Sequence, residues 1–371
     1  MTIYLLQVFT ILLLSAGIHP RTSEKKKKLF LILIFLVLTV VSGIRGYRVG
    51  ADTPIYVALF NNIDYISASN VRFEPGFIIY AKLLHRLSTN PSILLFTSSA
   101  ICIGSVCYFI FRYSKSPTIS VLLYVLLGSY FSQMNVMRQA LAMSISMWGF
   151  LLILDEKNQY GIRRLWSQIA SVTFILLAMS FHTPSVVMMI PWVLLFRQGE
   201  VEEESKLTMQ YAIARVALLS TIVFLGYSVV MHATTLFFPK YVSYFYSEWS
   251  DSNYNAALFN TLIDIVFFSL WTVSLQKKRL THLQRFSAIM VGFSIIFHVL
   301  SMRMEIWGRI AGYFSIYTYL IWTPETLSEF KLRTNRRLIR TAIVTLSLLY
   351  MIIVLVFRPE WSMVVPYEIA S

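Results

Sequence analysis

Charged residues are scarce in this sequence. Asp, Glu, Lys and Arg make up 13% of its 371 residues, which is about half the share of a soluble domain. Hydrophobic residues make up 57%, and the mean hydropathy is +0.64. No stretch is polar and long enough to fold as a separate soluble domain. The composition therefore excludes a soluble protein and favours an integral membrane protein.

Cysteines and catalytic motifs are nearly absent. Cys102 and Cys107 are the only cysteines, and five positions apart on one apolar helix they diverge too far to pair. The sequence has no HExxH, GxSxG or Walker motif, and no Cys or His cluster with metal spacing. These absences exclude the familiar metalloproteases, serine hydrolases and ATPases, and they predict no metal and no cofactor.

Apolar runs recur along the whole chain. A transmembrane helix needs about 20 mostly apolar residues, so we predict an all-α polytopic membrane protein with about twelve such helices. We expect one membrane domain over residues 1–371. The runs lie near residues 2–17, 29–44, 92–111, 118–132, 139–154, 167–181, 184–196, 211–231, 258–275, 286–302, 310–323 and 341–357.

The basic residues predict the orientation of these helices. A net charge of +14 would suggest a nucleic-acid ligand in a soluble protein, but cytoplasmic loops of membrane proteins carry an excess of Lys and Arg. Residues 25–28, all lysine, separate the first two runs and should be cytoplasmic. The alternation then places the N-terminus, the loop 43–91 and the tail 358–371 outside, with roughly two thirds of the basic residues inside. No nucleic-acid partner is expected.

For the helices to alternate across the membrane in this way, residues 167–196 must form two helices, so we expect a helix break within this range. We predict the break at His182-Thr183-Pro184, with Thr183 as the cap and Pro184 opening the next helix. Within the outer loop, residues 75–88 place Phe77, Ala81, Leu84 and Ser88 on one helical face. We predict that this segment is a helix lying in the outer membrane interface.

Several arginines fall on the predicted outer side, where basic residues are less common. The planar fork of arginine binds phosphate in a bidentate way, so a group of arginines suits a pyrophosphate. The alternative is that each side chain reaches singly to the lipid headgroups. The candidates are Arg45, Arg48, Arg138, Arg303 and Arg309.

Acidic and histidine side chains near the same face are candidate bases. Asp52 either caps a short helix that begins at Pro54 or acts as a base or a ligand for sugar hydroxyls. His182, at the predicted helix break, is either structural or a second candidate base. Asp264 and His298 lie in the outer thirds of their runs, where ionisable groups are costly and could line a cavity.

Five short segments resemble one family of membrane proteins. The segment Arg48-x-Gly50-x-Asp52-Thr53-x-x-Tyr56 resembles the signature of the EpsG family of Wzy-type polysaccharide polymerases, although Pro54 follows the Asp-Thr pair where that family often has Tyr or Phe. The other similar segments keep the family's order over most of the chain: Glu74-Pro75-Gly76-Phe77, Asn135-x-x-Arg138-Gln139-x-x-Ala142, Phe181-His182 and Arg309-x-x-x-Tyr313-Phe314.

The resemblance implies a glycosyltransferase with a GT-C-like helical fold in the bacterial plasma (inner) membrane. Such enzymes join oligosaccharide repeat units carried on undecaprenyl pyrophosphate at the face toward the periplasm or exterior. The implied partners are a lipid-linked donor and acceptor and the membrane lipids, with a chain-length regulator and a flippase as further candidates.

With the resemblance, we predict Asp52, or failing that His182, as the catalytic base. The residues predicted to bind pyrophosphate and sugar are Arg45, Arg48, Tyr56, Arg138, Gln139, Arg303, Arg309 and Tyr313. The alternatives are a flippase or other transporter of lipid-linked saccharides, and an O-antigen ligase or membrane acyltransferase. Transporters tend to show sequence repeats and charged sites near the midplane, whereas the charges here cluster at one face, which favours an enzyme.

Overall fold

The regular structure of the protein is helical. The computed structural model describes residues 1–18, 22–66, 73–158, 161–198, 209–237, 254–274, 281–329 and 333–370, and within these ranges the extended backbone pairs only in one isolated bridge, between Arg45 and Ile369. The helices fall into two compact units. The first unit comprises residues 1–192 and 333–371, and the second comprises residues 193–332. The prediction of a single membrane domain stays a prediction.

The first unit contains the N-terminal helices and the C-terminal helix. They are α1 (Thr2–Ser15), α2 (Glu24–Gly43), α3 (Thr53–Asn61), α4 (Pro75–His85), α5 (Ser92–Tyr113), α6 (Pro117–Leu126), α7 (Ser129–Asn135), α8 (Met137–Leu154) and α9 (Gly161–Phe181). A 3-10 helix, Thr183–Met188, follows α9 and leads into α10 (Met189–Gln198). The chain returns to this unit later, in α17 (Arg333–Phe357) and α18 (Pro359–Ser362).

Six α-helices lie wholly within the described residues of the second unit. They are α11 (Met209–Leu225), α12 (Tyr227–Phe237), α13 (Tyr254–Ser274), α14 (His282–Ser301), α15 (Ile306–Tyr317) and α16 (Thr323–Glu329), with a π-helix, Thr318–Trp322, between the last two. A capping box at Thr281 and Gln284 fixes the start of α14, because each side chain satisfies a backbone N–H of the other residue.

Five helices in the described ranges are long and apolar enough to cross a membrane: α5, α8, α9, α14 and Asn335–Phe357 of α17. Two bent pairs, α6 with α7 (50°) and α11 with α12 (73°), raise this number to seven. The first bend occurs at Gly128, whose φ of 85° is a left-handed conformation that glycine adopts without strain. The chain is thus an all-helical, multi-pass membrane protein, while the number twelve and a GT-C-like architecture stay predictions.

The contacts within the first unit agree with the predicted alternation of its helices. Tyr4, at the start of α1, donates its hydroxyl to Val364 O (2.8 Å) in the C-terminal tail, and the bridge joins that tail to Arg45. At the opposite ends of α5 and α8, Arg112 forms an ion pair with Asp155 at 2.8 Å. The N-terminus, the start of the loop 43–91 and the C-terminal tail therefore lie at one end of this unit. Which end faces outward stays a prediction.

The predicted helix break after α9 is confirmed, but its predicted cap is wrong. The helix ends at Phe181, and His182 is extended with φ −156° and ψ 103°. His182 occupies the N-cap position of the 3-10 helix, and Pro184 lies in its first turn. Thr183 does not cap this helix, because its hydroxyl donates to Glu74 Oε1 (3.3 Å).

The helix predicted at residues 75–88 is confirmed as α4, which ends three residues earlier, at His85. It buries Phe77, Ala81 and Leu84, as the predicted face requires, while Arg86 is exposed. Its placement in the membrane interface stays a prediction.

Candidate active site

A buried ion pair lies at the centre of a polar cluster in the first unit. Arg138, in the first turn of α8, donates from Nη1 to Oε2 of Glu74, the residue before α4. The two side chains are 19% and 6% exposed. The guanidinium also lies 5.0 Å from the centre of the Phe73 ring, within the range of a cation–π contact. Arg138 is therefore held in one orientation by a carboxylate and an aromatic face.

The other oxygen of Glu74 binds the segment that follows α9. Oε1 accepts hydrogen bonds from the Thr183 backbone N–H (3.2 Å) and hydroxyl (3.3 Å). One carboxylate thus joins α4, α8 and the helix break. The close approach of α4 to α9 requires a glycine at position 76, since a Cβ there would lie 2.2 Å from the Ser180 hydroxyl oxygen and 2.8 Å from the Ser180 carbonyl oxygen.

The electrostatic environment keeps Glu74 ionised. Burial acts to raise the pKa of Glu74, but Arg138, His182 and the Thr183 N–H together lower it by more. The pKa of this carboxyl therefore lies below its ordinary value. Because both of its oxygens accept hydrogen bonds, one of them from a charged guanidinium, Glu74 is a poor base and acts instead to position Arg138.

Tyr56 brings α3 into the same cluster. This side chain is 2% exposed, packs edge-on against Phe77 with ring centres 5.5 Å apart, and lies close enough to Arg138 to interact with its charge. Burial raises the pKa of Tyr56, while Arg138 lowers it and the negative charge of Asp52 raises it further. Asp52 is thus close enough to Tyr56 to act on it electrostatically.

Asp52 occupies the N-cap position of α3 without capping it. Its side chain accepts no hydrogen bond from the helix backbone, and its φ and ψ of −88° and −7° are helical, whereas a capping residue is typically extended. The carboxylate is half-buried. The capping interpretation of Asp52 is therefore wrong, which leaves its carboxylate available for another role.

The remaining predicted residues of the first unit differ in exposure. Arg48 is exposed and His182 is half-buried beside Glu74. Gln139 is buried on α8, and its amide reaches Met143 Sδ at 3.9 Å. The structure thus brings Asp52, Tyr56, Arg138 and His182 to one end of the first unit, as an active site of these residues requires.

Arg45 has a different environment from the one predicted. Its side chain is 1% exposed, and its guanidinium donates to Ser42 O, Met134 O (3.3 Å) and Ser99 Oγ (3.4 Å). Burial lowers the pKa of Arg45 to about 10, which still leaves it charged at neutral pH. A guanidinium enclosed in this way stabilises the surrounding backbone. Arg45 is therefore not among the residues that we propose to bind pyrophosphate.

Three predicted ligand residues belong to the second unit. Arg303 is exposed and lies 4.2 Å from the centre of the Phe224 ring, Arg309 is half-buried in the first turn of α15, and Tyr313 is buried on the same helix. Their predicted role in binding stays a prediction.

Asp264 and His298 bind each other inside the second unit, and their predicted place beside a cavity stays a prediction. His298 Nδ1 lies 2.7 Å from Asp264 Oδ2, and neither side chain is more than 7% exposed. Ser294 donates its hydroxyl to the same carboxylate oxygen. A serine that donates to a carboxylate in this way is not activated by a histidine, so the trio is not a nucleophilic triad. No group of acidic, Cys or His side chains within the described ranges is arranged to hold a metal ion.

Glu74 is the central residue that the sequence interpretation missed. In the sequence, Glu74 stands out only as part of a family segment. A signal was present, because acidic residues are rare in this chain (18 Asp and Glu) and a buried arginine at the start of a transmembrane helix needs an acidic partner.

A comparison with models of protein families shows which family the chain belongs to. The model of the EpsG family matches residues 28–369, nearly the whole chain. The chain belongs to the EpsG family. That family comprises membrane proteins like the Wzy-type polymerases, and the match includes every residue of the cluster around Arg138. No curated protein and no solved structure matches the chain. Membership of the EpsG family supports a polymerase-like role in polysaccharide biosynthesis.

Proposed function

We propose that the protein is a glycosyltransferase that polymerises oligosaccharide repeat units linked to undecaprenyl pyrophosphate, at the outer face of the bacterial inner membrane. The observation that carries this proposal is the orientation of Arg138 by Glu74, Phe73 and Tyr56, with the carboxylate of Asp52 nearby. A fixed cation beside an available carboxylate suits the transfer of a sugar from a pyrophosphate to a hydroxyl group.

In this mechanism the arginines bind the leaving group. A guanidinium carries five N–H donors in a planar fork, so Arg138 can hold Glu74 and a phosphate oxygen together. Exposed Arg48, four residues before Asp52, supplies a second cation. As the bond between the anomeric carbon and the pyrophosphate oxygen breaks, negative charge grows on the pyrophosphate, and preorganised donors stabilise that charge most effectively.

The base acts on the acceptor. Asp52 accepts the proton of the acceptor hydroxyl while the hydroxyl oxygen bonds to the anomeric carbon of the donor. The lipid pyrophosphate leaves with the electron pair of the broken bond. We prefer Asp52 to His182 because its carboxylate makes no bond to α3, whereas His182 lies beside Glu74 and in its protonated form would bind an anion. Positioned bases contribute roughly 10²–10⁴-fold to rate.

Deletion of the gene followed by gel analysis of surface polysaccharide tests the proposal. A polymerase defect leaves single repeat units on the cell surface without long chains, and the wild-type gene restores the chains. Absence of surface repeat units would indicate a flippase instead. Long chains that are made but not transferred to their final carrier would indicate a ligase.

A further inference from the structure

We infer that the C-terminal tail (residues 362–370) supports the active site from behind the motif loop (residues 45–52), and that Asn135 is a positioning residue that holds this tail and the motif loop in register. The catalytic part of this inference rests on the proposed function. Its structural part stands on contacts within the first unit alone.

Backbone contacts join the tail to the motif loop along its length. Such pairing uses polar groups that would otherwise need water or another partner. The contacts are the Arg45–Ile369 bridge and hydrogen bonds from Gly46 N–H to Glu368 O (2.7 Å), Ala370 N–H to Ile44 O (2.9 Å) and Gly50 N–H to Met363 O (2.7 Å).

Two tyrosines anchor the tail to α1 and α2. Tyr4 of α1 donates to Val364 O, and Tyr367 of the tail donates to Val41 O of α2, each at 2.8 Å. Their rings also meet edge to face, with centres 5.8 Å apart. Val364 is fully buried. The tail is therefore packed into the first unit, and it lies directly against the motif loop.

Asn135, the last residue of α7, binds both segments with one side chain. Its Oδ1 accepts the Ala51 N–H at 3.0 Å, and its Nδ2 donates to Ser362 O. An amide supplies a donor and an acceptor at once, which a carboxylate or an apolar side chain cannot do. Gly50 completes the fit, because its φ of 99° is left-handed and a Cβ there would lie 2.5 Å from Met134 O.

These contacts fix the backbone immediately before Asp52. A displacement of about 1 Å at a reacting group can reduce a rate by about 10²-fold. Loss of the tail contact should therefore reduce polymerisation even though no tail residue touches the substrate in the proposed mechanism.

A disulfide between tail and loop tests the arrangement directly. A Cβ built on Gly46 lies 3.2 Å from Glu368 Cβ, near the separation of about 3.5–4.5 Å found in disulfides. In the full-length, membrane-inserted protein, Gly46→Cys with Glu368→Cys should form a disulfide under mild oxidation, identified by mass spectrometry, and polymerisation should persist with the bond formed. Each single variant serves as the control. Failure of the pair to cross-link, or loss of activity on cross-linking that reduction reverses, would overturn the inference.

Asn135→Asp then separates positioning from direct contact with substrate. This change keeps the acceptor for Ala51 but removes the donor to Ser362, so the disulfide should form more slowly and polymerisation should fall at least tenfold. Forming the disulfide should restore most of that activity, because it replaces the lost tether. If activity stays low with the bond formed, Asn135 does not act by holding the tail.

Asn62→Asp is the matched control for that variant. Asn62 donates from the same kind of amide to the Ala58 carbonyl within α3 (2.9 Å) and is exposed, so its replacement should leave both cross-linking and chain length unchanged. The rate of disulfide formation does not depend on what the enzyme makes. A failure of the proposed function would therefore show as unchanged polysaccharide in the deletion strain, while the cross-linking result would still support or overturn the role of Asn135.

Discussion

Glu74, which precedes α4, and Arg138, in the first turn of α8, form an ion pair in which both side chains are largely buried. The pair joins two segments far apart in the chain and leaves the guanidinium in a fixed orientation. Removal of one partner from a buried pair typically costs about 3–5 kcal/mol, because the other charge is left without compensation. The consequences of the pair for stability and for catalysis can be measured separately.

Glu74→Gln should destabilise the protein and abolish most chain extension. Glutamine keeps an acceptor for Thr183 but removes the charge opposite Arg138, so we expect a loss of about 3 kcal/mol, seen as a lower melting temperature in detergent. Glu360→Gln is the control, since Glu360 pairs with Arg358 at 3.7 Å and both side chains are more than half exposed. Equal melting temperatures for the two variants would show that the Glu74 pair is not stabilising.

The stability of the wild-type protein should fall in acid because of Glu74. A carboxyl whose pKa is lower in the folded state stabilises that state above the unfolded pKa, and the contribution is lost as the pH falls through the folded pKa. For Glu74 this loss should begin below its ordinary value of 4.5. The difference in melting temperature between wild type and Glu74→Gln should therefore shrink between pH 6 and pH 3. A constant difference would contradict the direction of the pKa shift.

Polymerisation should require the guanidinium forks of Arg138 and Arg48 as well as their charges. Arg138→Lys and Arg48→Lys keep a cation but lose bidentate binding, so we expect polymer length on gels to collapse to one or a few repeat units at normal protein levels. Arg112→Lys serves as the control, because Arg112 pairs with Asp155 at the other end of α5 and α8. Long chains in both test variants would favour binding of these arginines to lipid headgroups.

Asp52→Asn should separate chemistry from folding. Asp52 caps no helix through its side chain, so the variant should insert and melt like the wild type. An amide cannot accept the proton of the acceptor, and activity should fall by roughly 10²-fold or more. His182→Gln, assayed with the same lipid-linked substrate, should show the smaller loss. The reverse order would make His182 the base.

Cysteine labelling tests the predicted orientation of the helices. Asn62 and Lys157 are both exposed, Asn62 at the end of α3 and Lys157 just after α8 ends at Leu154. Asn62→Cys should react from outside the cell with an impermeant maleimide, while Lys157→Cys should react only after the membrane is opened. The predicted alternation of the helices also places Ser252 outside and Tyr160 inside, but both residues lie outside the described ranges. His282→Cys, predicted to be inside, should behave like Lys157→Cys.

The sequence alone determined the features that depend on neighbouring residues. Runs of apolar residues give helices because a helix satisfies its own backbone hydrogen bonds within one segment, and Pro75 and Pro184 mark helix starts because proline lacks the N–H that a first turn leaves unpaired. The apolar face of α4 follows from such local signals, and Pro184 locates the helix break that the alternation of the basic loops requires. The family segments likewise indicated where the cluster around Arg138 would be found.

Only the tertiary structure decided what each charged side chain does. Arg45 and Arg48 are three residues apart and look alike in sequence, yet the first is 1% exposed and the second is exposed. The difference arises because the Arg45 guanidinium is enclosed by Ser42, Ser99 and Met134, and no local pattern encodes partners that lie up to 89 residues away in the chain. For the same reason the partners of Glu74 and the contact between Asp264 and His298 were not predictable. The energy of a buried charge is set by groups brought to it in space, and the fold alone determines which groups those are.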